Sequence, residues 1–213
     1  IIFEVDRIRD GKSFTTRRVN AIQNGEAIFS CSISFQKREK GLTHQIKMPK
    51  IQGPEKLKSD LELRKDLKSK IPKDYLPMWL REREIETRQV EPVDLLNAEK
   101  LPPYRSTWMK PTGKLPSDER IHQALLLYVS DMGLLGAAVN PHEVNFMSKK
   151  FQSASLDHVM WFHGKVNFNN WVLHHMHSPI SQNARGFSRG SIYTKAGKLI
   201  ASTAQEGLMR IWD

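Results

Sequence analysis

Between Phe151 and Gly164 the chain reads FQSASLDHVMWFHG, which brings Ser153, Ser155, Asp157, His158, Trp161 and His163 into one short stretch. His174, His175 and His177 follow in LHHMHSP. Residues of these types could hold a metal, arm a serine nucleophile or activate a water. A metal site is poorly supported: no cysteine pair accompanies the histidines and no HExxH pattern occurs. On a strand, His175 and His177 would face one side and His174 the other, as ordinary strand histidines do. No metal and no cofactor are expected. A serine nucleophile would need a GxSxG elbow on a strand-to-helix turn; GFSRG at 186–190 has the letters but falls within a predicted hairpin strand, and no phosphate-binding glycine loop is present. GLLGAAV is apolar and helical instead.

Water activation needs a carboxylate as general base, neighbours that hold the water, and donors for the developing oxyanion. Asp131 qualifies as the base, and Ser155 and Gln205 as the groups that fix the water. They fall on three separate elements, so spacing alone does not bring them together. Asp131 follows the apolar run ALLLYVS and is expected in largely apolar surroundings. There it would have to be hydrogen-bonded, shifted in pKa or functional.

The elements that must position these residues are legible in part. SDERIHQALLLYVSDMGLLGAAV predicts a helix with Ser117 as N-cap and Asp118 and Glu119 in its first turn. Its apolar residues run nearly all the way round, which predicts burial on every side. Two β-hairpins flank the chain. SFTTRRVNAIQNGEAIFSCSISFQ turns at Asn24-Gly25, and ARGFSRGSIYTKAGKLIASTAQEGLMRIW turns at Lys195-Ala196-Gly197. Laying Gly25 over Gly197 places Arg17 on Arg189, Ile28 on Ile200 and Ser30 on Ser202, the mark of an internal duplication. On that register Gln205 has Ile33 as its counterpart, so one competent site is expected, built by the second half. The second hairpin is preceded by Ser117–Trp171 and its helix; a matching stretch ahead of Ile1 would be missing. Between the hairpins lies a charged connector, in which Glu55 to Ser69 predicts a solvated helix ended by Pro72.

The chain has 213 residues, 39% hydrophobic and 26% charged, enough for one large domain or two small ones with packed cores. Cys31 is its single cysteine, so no intrachain disulfide forms. No apolar run reaches the ~20 residues of a membrane helix, and no signal peptide is visible at the start. A net charge of +10 favours anionic partners. In the connector acidic residues interleave with basic ones, a poor nucleic-acid patch.

The order and wording of DGKSFTTRRVNAIQNGEAIFSCSISFQ, HQIKMP, LLLYVSDMGLLGAAVNPH, SLDHVMWFHG and NARGFSRGSIYTKAGKLIASTAQEGLMR resemble the acyl-CoA thioesterase II family over most of the chain. The resemblance implies an α+β double hotdog, in which a long antiparallel sheet wraps a buried helix. Residues 1–45 would be the C-terminal part of a first hotdog that lacks its N-terminal helix. Residues 46–103 would be the linker and 104–213 the second hotdog. It implies hydrolysis of fatty acyl-CoA, with Asp131, Ser155 and Gln205 orienting the attacking water and backbone N–H groups holding the oxyanion. It also implies acyl-CoA as partner, no nucleic acid, no stable membrane insertion, and a homo-oligomer or association with the missing N-terminal segment. Location would be peroxisomal in a eukaryote and cytoplasmic otherwise; no targeting signal is visible. A non-catalytic hotdog that binds or scaffolds acyl-CoA is the alternative. Asp157, His158, Trp161 and His163 are then strand architecture around Ser155.

Overall fold

The computed structural model describes residues 1–94, 96–144 and 146–212. They form two compact units, Ile1–His44 and Gln45–Asp213.

The first unit is a three-stranded antiparallel sheet in the order β1 (Ile2–Asp10), β2 (Phe14–Gln23), β3 (Glu26–Gln36). The β2–β3 turn is where the sequence places it. Asn24 and Gly25 both adopt positive φ, 53° and 83°, the left-handed pair that a two-residue hairpin turn requires and that Asn-Gly tolerates. The Arg17 guanidinium donates to Asp10 Oδ1 at 2.5 Å and to the Arg9 carbonyl, tying β2 to β1.

In the second unit the expected connector contributes structure of its own. A capping box starts helix α1 (Asp60–Asp66): Ser59 Oγ accepts from the Glu62 N–H, and Glu62 accepts in return from the Ser59 N–H. The helix expected from Glu55 to Ser69 is therefore shorter. Gly53-Pro54 opens a separate 3-10 turn over Pro54–Lys56, and a second such turn over Lys68–Lys70 follows the helix. The buried Arg64 bonds Asp60 and the carbonyls of Trp79 and Arg81, which fastens α1 to the short helix α2 (Leu76–Trp79).

Seven strands make the main sheet. Its path is β4 (Ile85–Gln89), β5 (Tyr104–Pro111), β8 (Val172–Gln182), β9 (Arg185–Thr194), β10 (Leu199–Ile211) and β6 (Phe151–Ser155). β7 (Val159–Phe162) pairs with the same edge of β10. All pairings are antiparallel. β10 alternates buried and partly exposed residues, the pattern of a strand with one face on a core. That core holds Ile85, Met109, Val166, Phe168, Ile192 and Ile200 together with Leu126 and Val129 of helix α3 (Glu119–Ser130).

Two expectations about α3 are corrected. The N-cap is Asp118, not Ser117: the Asp118 carboxylate accepts the Arg120 N–H at 3.0 Å, and a negative acceptor suits the positive end of a helix. Burial is one-sided. His122, Leu126, Val129 and Ser130 point into the unit, while Ile121, Leu127 and Tyr128 remain exposed, because the unit's sheet can cover only one face of a cylinder. Beyond α3, Gly133 takes φ 81° and turns the chain into the short helix α4 (Gly136–Val139).

The two hairpins share a defect in the ladder. In β3 the register skips Ile28, between Ala27 and Phe29; in β10 it skips Ile200, between Leu199 and Ala201. Those are the residues that the Gly25–Gly197 overlay aligns, and bulges are specific features of a fold. One overlay pair moves. Arg18 stands opposite Ser32 as Arg189 stands opposite Ala204, so Arg18, not Arg17, matches Arg189. The reason is turn length: the first hairpin closes over Asn24-Gly25, whereas in the second the Thr194 N–H reaches the Lys198 carbonyl across three residues.

Candidate active site

Asp131, Ser155 and Gln205 converge. Asp131 caps the C-terminus of α3, Ser155 is the last residue of β6, and Gln205 lies mid-strand in β10. Ser155 pairs with Gly207, which puts it and Gln205 on neighbouring positions of one sheet face. The Gln205 amide Nε2 donates to Asp131 Oδ1 and, at 3.1 Å, to Ser155 Oγ; Ser155 Oγ donates to the same Asp131 oxygen at 3.4 Å. Gln205 is only 1% exposed, so its amide is fixed by packing as well as by bonding. Two of the three bonds fall on Asp131 Oδ1. Among the described residues Oδ2 has no hydrogen-bond partner, which leaves one carboxylate oxygen to accept from a water.

The expectation that Asp131 sits in apolar surroundings is corrected: it is exposed. The helix ends at the rim of a pocket of about 410 Å³ whose lining includes Arg105, Asp131, Leu135, Phe146, Ser155 and Gln205. The arrangement is a buried amide at the base, a hydroxyl beside it, and a carboxylate open to solvent at the mouth. A water at such a carboxylate can lose a proton to it while the amide and the hydroxyl hold the carboxylate in place.

The DH pair explains why Ser155 ends a strand here. The edge of β10 is covered by β6 along Gly207–Ile211 and by β7 along Ala201–Ala204, with a break at Gln205–Glu206. In the break the Asp157 carboxylate accepts the Glu206 N–H at 2.8 Å, while the Leu156 N–H donates to the Glu206 carbonyl. A side chain thus replaces a missing ladder partner. His158 Nε2 and Ser130 Oγ lie 2.8 Å apart, which pins the residue before Asp131 to the same break. Burial holds the His158 imidazole below its usual range, against the opposing pull of the Asp131 and Asp157 carboxylates. His163 bonds Ser202 Oγ at 2.8 Å, and Trp161 stands half exposed on β7. These four side chains shape the edge and do not line the pocket.

The other histidines lie deeper in the sheet. His174 is fully buried on one face and meets Thr203 Oγ1 at 3.2 Å; His175 meets Ser106 Oγ at 2.9 Å. Burial, aided by the neighbouring His158 and His175, pushes His174 down to about 3, so it is neutral at ordinary pH. Among the described residues no group of three or more His, Cys, Asp or Glu could hold a metal ion, and no helix is long and apolar enough to cross a membrane.

Sequence reasoning missed two participants. Arg105 enters the pocket from β5. Its only signal is that it is the one charge in YRSTWM, a run that reads as buried strand. Ser130 carries no signal beyond adjacency to Asp131.

With the geometry established, comparison with known proteins is informative. Residues 79–208 match the family "Acyl-CoA thioesterase", and residues 1–36 match "Acyl-CoA thioesterase N-terminal domain". Acyl-CoA thioesterase 2 of Haemophilus influenzae is 36% identical over 99% of this chain and 73% of its own. Among solved structures, an acyl-CoA thioesterase II from Mycobacterium marinum is 34% identical, with a TM-score of 0.76 over 99% of this chain and 74% of its own. A hot dog fold protein from Alicyclobacillus acidocaldarius, 16% identical, reaches a TM-score of 0.71 over 99% of this chain and 73% of its own. The expected α+β double-hotdog class holds.

Proposed function

The chain belongs to the acyl-CoA thioesterase family and is a thioester hydrolase, and we propose that it hydrolyses fatty acyl-CoA by direct attack of a water on the thioester carbonyl, with Asp131, Ser155 and Gln205 as the site. Asp131 takes the proton of the water as its oxygen bonds to the acyl carbon. The C–S bond breaks, coenzyme A leaves as a thiolate and is protonated, and the acyl group leaves as a carboxylic acid. A thiolate is a stable leaving group, so the reaction asks little of a general acid. Gln205 and Ser155 hold one Asp131 oxygen and leave the other to the water.

The observation that supports this most is the meeting of three residues from α3, β6 and β10 at one pocket, with both amide hydrogens of a buried glutamine committed. Among the described residues no histidine lines the pocket, and His158 is engaged with Ser130.

The test is a thiol-release assay with acyl-CoAs of several chain lengths. We expect release of coenzyme A with an equal amount of free fatty acid, and a loss of about 10²-fold or more in kcat for Asp131→Asn. A folded Asp131→Asn protein with unchanged turnover rules the site out. Binding of acyl-CoA without thiol release would rule out hydrolysis.

A further inference from the structure

Arg105 is a cation with too few partners. It stands on β5, opposite Met176 of β8, and its side chain runs beneath the turn that follows Asp131. Its one hydrogen bond runs from Nη2 to Asn140 Oδ1 and is long, 3.4 Å. Its Nε is buried and has no partner among the described residues. No carboxylate of the described residues lies within ion-pair reach of it; the other arginines and lysines of this unit that form pairs do so at 2.5–3.7 Å or closer. Burial lowers its pKa, yet a guanidinium keeps its proton in any folded protein. A largely desolvated charge with idle donors is costly unless something answers it.

The site is built around this group. A Cβ on Gly136 would lie 2.2 Å from Arg105 Nη1 and 2.6 Å from its Cζ, so the guanidinium fits beside that residue only because it has no side chain. The same guanidinium lines the pocket that holds Asp131, Ser155 and Gln205. One wall therefore carries the reacting carboxylate, and another carries a fork of N–H donors with the geometry that carboxylate and phosphate oxygens match.

We propose that Arg105 binds an anionic oxygen of the thioester substrate, a carboxylate or a phosphate, and so selects substrates that carry one in reach of the thioester carbon. This rests on the Asp131 pocket being the place of hydrolysis. Two parts of a substrate can supply the oxygen: a second carboxylate on the acyl chain, or the phosphates of the thiol half.

Four thioesters separate these sources: a neutral-tailed acyl-CoA, the same acyl group on pantetheine, an ω-carboxyacyl-CoA, and an ω-carboxyacyl-pantetheine. Neutral acyl-pantetheine carries no anion at all and is the reference. For Arg105→Met we expect kcat/KM on the anion-bearing esters to fall about tenfold or more beyond its fall on that reference, mostly through KM. An excess loss that follows the nucleotide assigns the oxygen to phosphate; one that follows the tail assigns it to carboxylate. An equal loss on all four esters, or no loss on any, overturns the proposal. Should Arg105→Met lose its circular dichroism spectrum, Arg105→Lys is read on the same four esters. It keeps the charge without the fork, so a smaller loss with the same substrate pattern is expected, and a uniform profile overturns the proposal. Asp131→Asn, run in parallel, keeps the two ideas apart. If it hydrolyses all four esters as the unaltered protein does, the catalytic site has failed whatever Arg105 does.

Discussion

The hairpin β2–β3 and the hairpin β9–β10 are two uses of one design. Each turns through a positive-φ glycine and carries a bulge at an isoleucine, Ile28 in one and Ile200 in the other. Five residues past the bulge they part: the first hairpin has Ile33, 39% exposed, and the second has Gln205, 1% exposed and bonded to Asp131 and Ser155. On the proposed site, a shared backbone therefore does not carry the chemistry. What separates the copies is a single polar residue at a position already shaped by the bulge, together with the helix end and strand end that meet it.

The largest effect should come from erasing that difference. Gln205→Ile writes the residue of the first hairpin into the second and removes both amide donors at once. We expect thioester hydrolysis to fall about 10²-fold or more, since the carboxylate and hydroxyl lose the group that orients them. Hydrolysis within a few-fold of the unaltered protein would mean that Gln205 is a packing residue only.

A second contrast is acid sensitivity. The first unit's sheet, β1 to β3, contains no histidine, whereas the seven-stranded sheet buries His174. In the fold His174 titrates at about 3, against ~6.5 for a free imidazole. Below about 6.5 the unfolded chain binds a proton that the folded chain refuses, so stability present at neutral pH is lost as pH falls toward 3. At pH 5 the loss from this residue is about 2 kcal/mol. His158, His175 and His177 are lowered as well, chiefly by burial, and act in the same direction. Urea unfolding at pH 7 and pH 5 reads it. The unaltered protein should lose about 2 kcal/mol more than His174→Leu over that interval; an equal loss in both would remove His174 from the account.

The smallest effect belongs to the reverse exchange. Ile33→Gln gives the first hairpin an amide at the matching position, but nothing in that unit's sheet stands where Ser155 and Asp131 stand around Gln205. Turnover should stay within about twofold of the unaltered protein, as surface changes away from a site do. A rise in turnover would show that the first copy needs only the glutamine to become active.

Much of this was readable before any coordinates. Asn24-Gly25 announces its turn because few residue pairs accept two positive φ values, and the overlay of the hairpins pairs Ile28 with Ile200, although only the strand registers reveal that both are bulges. Asp131, Ser155 and Gln205 were named, but through the resemblance and not through spacing: they are far apart in the chain, and only the register of β6 on β10 makes them neighbours. What stayed hidden depends on contacts between distant segments. Whether Ser117 or Asp118 caps α3 turns on which oxygen reaches the Arg120 N–H. Whether α3 is buried all round turns on how far a sheet can wrap it. That Asp157 serves the backbone of Glu206 is invisible until the edge of β10 is seen to break there. Arg105 lies in an unremarkable strand, and its room in the pocket comes from Gly136, at the start of the short helix after Asp131.

The proposed site rests on Asp131 and Gln205 working as one unit, the amide holding the carboxylate that takes the proton of the water. The most direct measurement is kcat of the double variant Asp131→Asn/Gln205→Ile beside the two single variants, in thiol release from one acyl-CoA. Residues that work as a unit are strongly non-additive. The loss in the double variant should be close to the larger of the two single losses. A double loss equal to the product of the single losses would mean that the two residues contribute independently, and would contradict the shared site.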